Sequence, residues 1–318
     1  MSRTDDRPRP VGLVIALCAA ALAAVAPGRA AALPPDAGSR VDRAAYRKGI
    51  EAWREAREES LKADGGWLTV AGLHWLQPGD NRFGADPGCE IVLPAGSAPA
   101  QAGVFTLQEG RVGVRMEPGV AATVGGKPVE AMELRSDSLG EPDILRLDRL
   151  TLQVIDRGGR LGIRLKDTNS RFREQFTGLR WYPVRGRYRV DARFVAHEAQ
   201  RTMPIPTILG TTEPMLNPGY VLFELDGREL RLEALQEGPD EDLFFIFHDR
   251  TSGRQTYPAG RFLHADRPVE GVVVLDFNRA YNPPCAFTPY ATCPLPPRQN
   301  RMPVGIEAGE LDYGHHRP

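Results

Sequence analysis

Two carboxylates in the C-terminal part of the chain, Asp276 and Glu310, are the residues best suited to acid/base chemistry. Two carboxyl groups are enough to supply a general acid and a general base, as in sugar cleavage, when they lie at a suitable separation. Asp276 directly follows the apolar segment 271–275 and begins a proline-rich run, residues 276–297. Its side chain therefore stands at the end of a predicted strand, and we take both carboxylates as candidate catalytic residues.

Polar and aromatic side chains near this pair predict a ligand pocket. A small-molecule site needs a few convergent donors and acceptors between apolar walls. Arg261 suits an anionic group, because its guanidinium fork matches a carboxylate or a phosphate, and we expect it to meet Asp276 at the pocket mouth. The alternative is a hydrogen-bond network that only holds the loop in place. The candidate ligand-binding residues are His248, Thr251, Tyr257, Arg261, Asn278, Tyr281 and Asn282.

The proline-rich run predicts an ordered loop. Prolines fix φ and remove backbone donors, so the run cannot form a regular helix or strand. Its large aromatic residues are too apolar for a free loop, and ordered loops on a rigid scaffold often carry function. Cys285 and Cys293 lie in this run, and we expect a disulfide between them that stabilises the loop of an exported chain. Cys89 is expected to remain a buried thiol.

Several other chemistries have no motif in the sequence. No Ser stands in a G-x-S-x-G motif, and no H-E-x-x-H or paired C-x-x-C motif indicates zinc. The nearest metal-like pattern is His264 with Asp266. The sequence therefore indicates no metal site, and it identifies no cofactor. The formal net charge of −1 argues against nucleic acid or an anionic membrane as a partner.

The N-terminal segment is typical of a targeting signal. Residues 1–10 carry three arginines, residues 11–26 are uncharged and apolar, and small residues follow, which is the pattern of a secretory signal peptide over residues 1–32. A retained membrane anchor is the alternative, although the apolar run is shorter than the roughly 20 residues that a span needs. We expect cleavage, export to the periplasm or the cell exterior, and no stable membrane span afterwards.

A single helix is predicted at residues 42–64, ahead of an otherwise β chain. Tyr46, Ile50 and Trp53 recur at positions i, i+4 and i+7, which places them on one face of a helix. We expect this stripe to pack on the sheets. The interleaved charged side chains, Arg57 among them, are expected to be solvated.

Two β units are predicted after the helix. Residues 65–180 hold short apolar segments separated by turn residues, which is typical of a sandwich or a barrel. Residues 187–312 contain a basic alternating strand, buried apolar strands and a hairpin around Asp226-Gly227, where Asp-Gly supplies positive φ for a type I′ turn. The predicted fold class is therefore mainly β: a β-sandwich-like domain, and a second β domain with the ordered proline-rich loop.

The first β unit resembles the forkhead-associated type of β-sandwich. The similarity lies in residues 81–84, 89–94 and 124–129, and it implies that fold. Such domains bind phosphothreonine peptides through an Arg and a Ser/Asn pair in loops. The stretch that follows Leu93 has no clear counterpart of that pair, so phosphopeptide binding is not carried over.

A longer resemblance connects the chain with uncharacterised prokaryotic proteins. Residues 65–76, 251–263 and 276–297, continued by Asn300 and residues 306–310, resemble the domain-of-unknown-function family numbered 1684. This resemblance covers most of the chain after the helix. It implies an established fold unit and no activity.

Two functions of different classes fit these patterns. The first is a site for binding, or for binding and turnover, of a small polar or anionic ligand in the C-terminal β domain. The second is a non-catalytic envelope protein that binds another protein through the N-terminal sandwich. A deep polar pocket beside Asp276 would favour the first function, whereas an exposed apolar patch on residues 67–160 would favour the second.

Overall fold

The computed structural model describes residues 42–314 of the 318-residue chain. The predicted signal peptide at residues 1–32 lies outside the described residues. The described chain is mainly β, as predicted, with one long helix ahead of several sheets. None of the described helices is both long enough and apolar enough to cross a membrane.

The long helix α1, Arg43–Lys62, begins and packs as its sequence predicts. The Asp42 side chain accepts a hydrogen bond from a first-turn backbone N–H at 2.9 Å, which caps the helix. Ile50 is fully buried, and the half-buried Trp53 packs edge-on against Trp181 with 5.6 Å between the ring centroids. The predicted stripe therefore faces the β body.

The inner face of α1 also carries arginine, which corrects the expectation that the charged residues of this helix are solvated. Arg57 lies four residues after Trp53 and therefore continues the apolar stripe. Its Nη2 donates to the backbone carbonyl of Asn282 at 2.9 Å, and Nη2 of Arg54 donates to the carbonyl of Tyr182 at 2.9 Å. Long basic side chains can bury their stems while their charged ends find polar partners.

The first half of the described chain folds into two sheets that face each other. In chain order, the strands are β1 (Val70–Trp75), β2 (Gly79–Gly84), β3 (Ile91–Val92), β4 (Gly103–Gln108), β5 (Arg111–Met116), β6 (Thr123–Val124), β7 (Lys127–Pro128), β8 (Ala131–Leu134), β9 (Ile144–Leu147), β10 (Leu150–Arg157) and β11 (Arg160–Asp167). The sheet orders are β1-β11-β10-β9-β6-β7 and β3-β2-β4-β5-β8. Side chains from both sheets share one apolar core, in which Phe83 stacks on Phe105. We call this unit the sandwich.

The second half forms one antiparallel sheet, here called the C-terminal sheet. Its strands follow the one-turn helix α2 (Arg171–Glu174) and are β12 (Arg189–Pro206), β13 (Thr212–Leu225), β14 (Arg228–Gln236), β15 (Leu243–Phe247), β16 (Arg261–Ala265) and β17 (Val272–Asp276). Their order is β16-β15-β14-β13-β12-β17. Beyond β17 the chain returns to β16, because Phe262 and Tyr281 exchange two backbone hydrogen bonds of 2.8 and 2.9 Å. The two edges of the sheet are therefore joined through the proline-rich loop.

The tight turn predicted at Asp226-Gly227 is present, and a second tight turn connects β10 to β11. Asp226 and Gly227 have φ of 51° and 72° between β13 and β14, as a type I′ turn requires. Gly158 and Gly159 likewise have φ of 64° and 82° between β10 and β11. This second turn fixes the register of a hairpin that borders the candidate site.

The proline-rich loop, residues 276–297, is ordered and largely buried, as predicted. It shares an apolar cluster with the helix and the C-terminal sheet, to which Leu61, Phe244 and Phe287 contribute. The Thr288 hydroxyl in the loop also donates to the carbonyl of Val70 in β1 at 3.0 Å. The loop is therefore held between the sandwich and the C-terminal sheet.

Candidate functional site

Arg261 and Asp276 do not pair, which corrects the expectation that they meet at a pocket mouth. Arg261 is fully buried, and its Nη2 donates to Oδ2 of Asp249 at 2.8 Å and to the carbonyl of Ile306 at 2.9 Å. Its Nη1 donates to the carbonyl of Ala308. Protein acceptors therefore bind both terminal nitrogens of this guanidinium, which connects β16 to the C-terminal segment.

Asp276 instead binds the N-terminal helix. Its two carboxylate oxygens accept from the Tyr46 hydroxyl at 2.8 and 2.9 Å. The side-chain amide of Asn278 donates to the Tyr46 hydroxyl oxygen and to the carbonyl of Arg185, both at 3.0 Å. Burial, followed by the charge of Asp276, raises the pKa of the Tyr46 hydroxyl. These contacts form a network that fixes the start of the proline-rich loop on α1.

Replacing Tyr46 by Phe is expected to lower the free energy of unfolding by about 1–3 kcal/mol, because the half-buried Asp276 carboxylate loses its hydroxyl donor. Urea denaturation measures this change. Tyr220→Phe is a suitable control, since that hydroxyl makes no hydrogen bond within the described residues. Equal stability of Tyr46→Phe and the parent would show that the network does not hold the loop.

Glu310 is fully buried beside Arg57 and Asn282. Its Oε1 accepts from Nδ2 of Asn282 at 2.8 Å, and Nε of Arg57 lies 3.5 Å from its Oε2. Burial raises the pKa of the Glu310 carboxyl from 4.5 to about 7, and the attraction of Arg57 offsets only part of that rise. Glu310 is therefore a buried carboxyl group next to Arg57 that titrates near neutral pH.

Three predicted ligand-binding residues outside the loop remain. Thr251 and Tyr257 form hydrogen bonds with other protein groups, and His248 is half-buried. The Thr251 hydroxyl donates to Oδ1 of Asp249 at 2.6 Å, and the Tyr257 hydroxyl donates to the carbonyl of Cys285 at 3.1 Å. His248 is half-buried, and this burial lowers the pKa of its imidazole. The contacts of Thr251 and Tyr257 agree with the loop-holding network that the sequence leaves open as an alternative.

Cys285 and Cys293 are free, buried thiols, so the expected disulfide is not formed in the structure. Sγ of Cys293 accepts a hydrogen bond from the backbone N–H of Cys285 at 3.2 Å. Hydrogen bonds instead hold the segments around both cysteines. The Cys293 carbonyl accepts from the N–H of Ile208 at 3.0 Å, and Tyr257 binds the Cys285 carbonyl. Cys89 is a buried thiol, as predicted.

A cavity of about 550 Å³ lies between the sandwich and the C-terminal sheet. The proline-rich loop lines it through Tyr281, Thr292 and Cys293, and α1 contributes Arg57. Tyr281 is the member of the predicted ligand-binding set that reaches this cavity. Apolar walls with a few polar groups are typical of small-molecule sites. The apolar lining includes Trp67, Ile205, Met215, Leu216, Phe244 and Phe262.

Two arginines stand on the sandwich wall of the cavity. Arg157 of β10 and Arg164 of β11 lie on the same face of one hairpin, opposite to the face that fills the sandwich core. Nε of Arg157 donates to the Thr292 hydroxyl at 3.0 Å, and its Nη2 pairs with Asp137 at 2.9 Å. Nη2 of Arg164 lies 3.4 Å from the same hydroxyl, with its guanidinium 5.1 Å from the ring centroid of Trp67.

Arg164 is a buried cation without a carboxylate partner among the described residues. It is only 7% exposed, and its Nε has no hydrogen-bond partner there. Burial, followed by the positive charge of Arg157, lowers the pKa of Arg164 from its ordinary value to about 10. Buried charges in proteins are normally paired. Arg164 is therefore the cavity group best suited to an anionic partner.

The opposite wall, from the C-terminal sheet, is acidic and aromatic. Glu213 of β13 has a buried Oε1 that finds no hydrogen-bond partner in the described part of the chain, and Glu237 lies exposed at the cavity rim. The Tyr281 hydroxyl lies 2.9 Å from Nε2 of His264, and the Arg57 guanidinium lies 4.4 Å from the Tyr281 ring centroid. Burial raises the pKa of Tyr281 to about 12, so its hydroxyl stays protonated at neutral pH.

Metal ligation has no geometric support within residues 42–314. No group of three or more His, Cys, Asp or Glu side chains in this range could hold a metal ion. In the near-motif of His264 and Asp266, the histidine ring contacts the Tyr281 hydroxyl.

Sequence analysis missed the two arginines of the sandwich wall. A signal was present, because Arg164 is a single charged residue between the apolar Ile163 and Leu165. Alternation along β11 directs those two neighbours into the sandwich core and Arg164 to the other face. That face would ordinarily be solvated, and the proline-rich loop covers Arg164 through Thr292.

Comparison with known proteins adds a family match. A family model described as "Protein of unknown function (DUF1684)" matches residues 174–311, which include the C-terminal sheet and the proline-rich loop. An uncharacterized protein of Haloarcula marismortui with a solved structure is 33% identical, with 45% of this chain and 81% of that chain covered and a TM-score of 0.39. No curated protein matches the chain.

Forkhead-associated domains are weaker structural neighbours. The FhaA FHA domain, solved in complex with an intracellular domain of another protein, is 17% identical and has a TM-score of 0.21, with 29% of this chain and 84% of that chain covered. A structure from work on phosphothreonine-dependent FHA domain interactions has the same identity and TM-score and covers 79% of its own chain. These matches agree with the weaker resemblance of the first β unit.

Proposed function

This chain belongs to the DUF1684 family of proteins of unknown function, and we propose that it binds a small anionic molecule in the cavity between the sandwich and the C-terminal sheet. The observation that carries the proposal is Arg164, a buried guanidinium on the cavity wall with no carboxylate partner among the described residues. Buried charges are normally paired, and an anion that accepts hydrogen bonds from Arg164 would supply the missing partner.

The two other arginines of the cavity lining support this assignment, because they differ from Arg164 in having acidic partners. Arg157 has Asp137 at 2.9 Å, and Arg57 has Glu310 at 3.5 Å. Each of these guanidiniums therefore has an acidic partner outside the cavity, whereas Arg164 has none. A charge-assisted hydrogen bond from a guanidinium to an anion is stronger than a neutral one, and the Arg164 guanidinium also lies within 5.1 Å of the Trp67 ring centroid.

Protein binding through the sandwich has less support. Among described residues of the segment 67–160, only Val92 and Leu139 are large apolar side chains that are exposed, at 41% and 73%. Isolated exposed apolar residues are ordinary for a protein surface, whereas an interface needs a contiguous patch. The polar cavity lies beside Tyr281 rather than beside Asp276. Ligand binding is therefore the function we propose.

Replacing Arg164 by Met provides the test. In the parent protein, the best ligand from a panel of phosphate, sulfate, short carboxylates and alkyl phosphates should raise the melting temperature. A ligand at one hundred times its Kd adds about 2.7 kcal/mol to the free energy of unfolding. Arg164→Met should lose this response. Without ligand it should be about 1–4 kcal/mol more stable than the parent, because an apolar side chain replaces a buried unpaired charge.

Arg146→Met is the matched control for this experiment. Arg146 is an exposed arginine on β9 of the same sheet, so its loss removes the same charge without changing the cavity wall. The control should keep the full ligand response. If no anion stabilises the parent, or if Arg164→Met responds as the parent does, the proposed function is wrong.

We also propose that the chain is exported, on the basis of the signal-peptide pattern in residues 1–32. N-terminal sequencing of the protein from its native cell checks this proposal. A mature chain should begin between residues 31 and 33, and a chain that keeps the apolar run would contradict cleavage.

A further inference from the structure

We infer that the ligand is a zwitterion: a small molecule that carries an ammonium group besides its anionic group, with the ammonium group bound by Glu213. The inference rests on the proposed function and deepens it. It comes from a second unpaired charge in the same cavity, on the wall opposite Arg164.

Glu213 lies in β13 and lines the cavity. Its Oε1 is buried and has no hydrogen-bond partner among residues 42–314, and no ion pair of these residues includes Glu213. An ionised carboxylate oxygen can accept two hydrogen bonds, and leaving a buried acceptor unpaired costs free energy. The atom is therefore suited to a donor that the ligand supplies.

Apart from Glu237, which is exposed at the rim, the charges of the cavity lining that remain after internal pairing are one cation and one anion. Asp137 balances Arg157, and Glu310 stands 3.5 Å from Arg57. What is left inside the cavity is Arg164 on the sandwich wall and Glu213 on the wall of the C-terminal sheet. The cavity is therefore polarised from one wall to the other.

Arg164 and Glu213 do not neutralise each other, because no ion pair within 4.0 Å connects them. A purely anionic ligand would satisfy Arg164 and leave the Glu213 carboxylate unpaired and repelled. A ligand with an ammonium group at its other end would satisfy both walls at once. The volume of about 550 Å³ accommodates a molecule of this kind. The cavity charges thus match amino acids, amino-alkyl phosphates and similar zwitterions.

The experiment titrates the full-length protein with matched ligand pairs by calorimetry. Glycine, β-alanine and 4-aminobutyrate are compared with acetate, propionate and butyrate, and phosphoethanolamine is compared with ethyl phosphate. The best zwitterion should bind about ten- to a hundred-fold more tightly than its amine-free partner, because a hydrogen bond to a charged group contributes about 1.5–3 kcal/mol. The amino-acid series also varies the spacing between the two charges, and one spacing should bind best.

Glu213→Gln separates this inference from the proposed function. The variant should bind the zwitterion and its amine-free partner with nearly equal Kd, while Arg164→Met should lose both. Glu224→Gln, an exposed change on the same strand, should keep the parent's preference. If anions bind without any preference for the ammonium group, or if Glu213→Gln keeps that preference, the inference is overturned and anion binding stands. If no member of either series binds, both are overturned.

Discussion

Replacing Arg261 by Met is expected to lower the free energy of unfolding by about 3–5 kcal/mol. The substitution removes one partner of a fully buried ion pair and leaves the Asp249 carboxylate charged without its guanidinium. It also leaves the carbonyls of Ile306 and Ala308 without their donors. For a chain of this size, such a loss corresponds to a fall in melting temperature of roughly 2–4 °C per kcal/mol.

Arg261→Lys keeps the charge but should still be destabilising. The guanidinium donates to three separate acceptors, and a single ammonium group on a shorter reach cannot replace that fork. The double variant Arg261→Met/Asp249→Asn should recover part of the loss, because the isolated charge is then gone. Urea denaturation of the parent, Arg261→Met, Asp249→Asn and the double variant measures this coupling.

The ligand response distinguishes a structural Arg261 from a binding one. Arg261 does not line the cavity, so Arg261→Lys should keep the anion-induced stabilisation while it melts below the parent. A variant with unchanged stability and no ligand response would instead restore Arg261 as a binding residue and contradict its place in the core.

Local patterns in the sequence were sufficient to predict much of the fold. The stripe of Tyr46, Ile50 and Trp53 depends only on helical spacing, and the Asp226-Gly227 turn depends only on the φ values that these residues tolerate. Both kinds of signal act over a few residues. For the same reason the prolines and aromatic residues of the loop, residues 276–297, indicated an ordered segment correctly.

The partners within the site could not be predicted in the same way, because strand register decides them. Arg261 pairs across the sheet with Phe247, two residues before Asp249, so its guanidinium reaches Asp249 rather than Asp276. Arg164 is buried only because a segment more than a hundred residues later, around Thr292, packs over it. Neither contact produces a periodic pattern in the sequence from which it could be predicted.

Glu310→Gln is expected to change how stability depends on pH. The folded-state pKa of Glu310, about 7, lies above its ordinary value of 4.5. Between these two values the unfolded chain releases the proton first, so the stability of the parent falls as pH rises from 4.5 to 7 and the loss is complete above 7. The difference in pKa corresponds to roughly 3 kcal/mol.

The Gln variant removes this titration while it keeps the shape and the hydrogen bond from Asn282. It should be as stable as the parent at pH 4.5 and more stable at pH 8, by up to roughly 3 kcal/mol. Glu307→Gln is the matched control, since Glu307 is half-exposed on the same segment and pairs with Arg185 at the surface. Melting curves from pH 4 to 9 give the comparison.

The same titration should reach the cavity through Arg57, whose guanidinium stands between the Tyr281 ring and Glu310. When Glu310 takes up a proton below about pH 7, the charge of Arg57 is no longer balanced, and the potential at the cavity becomes more positive. The affinity for an anionic group should then rise on the order of tenfold as pH falls through this range. Glu310→Gln should bind tightly at pH 8 and show little pH dependence. If its affinity still follows pH as the parent's does, another group controls the cavity and Glu310 serves the fold alone.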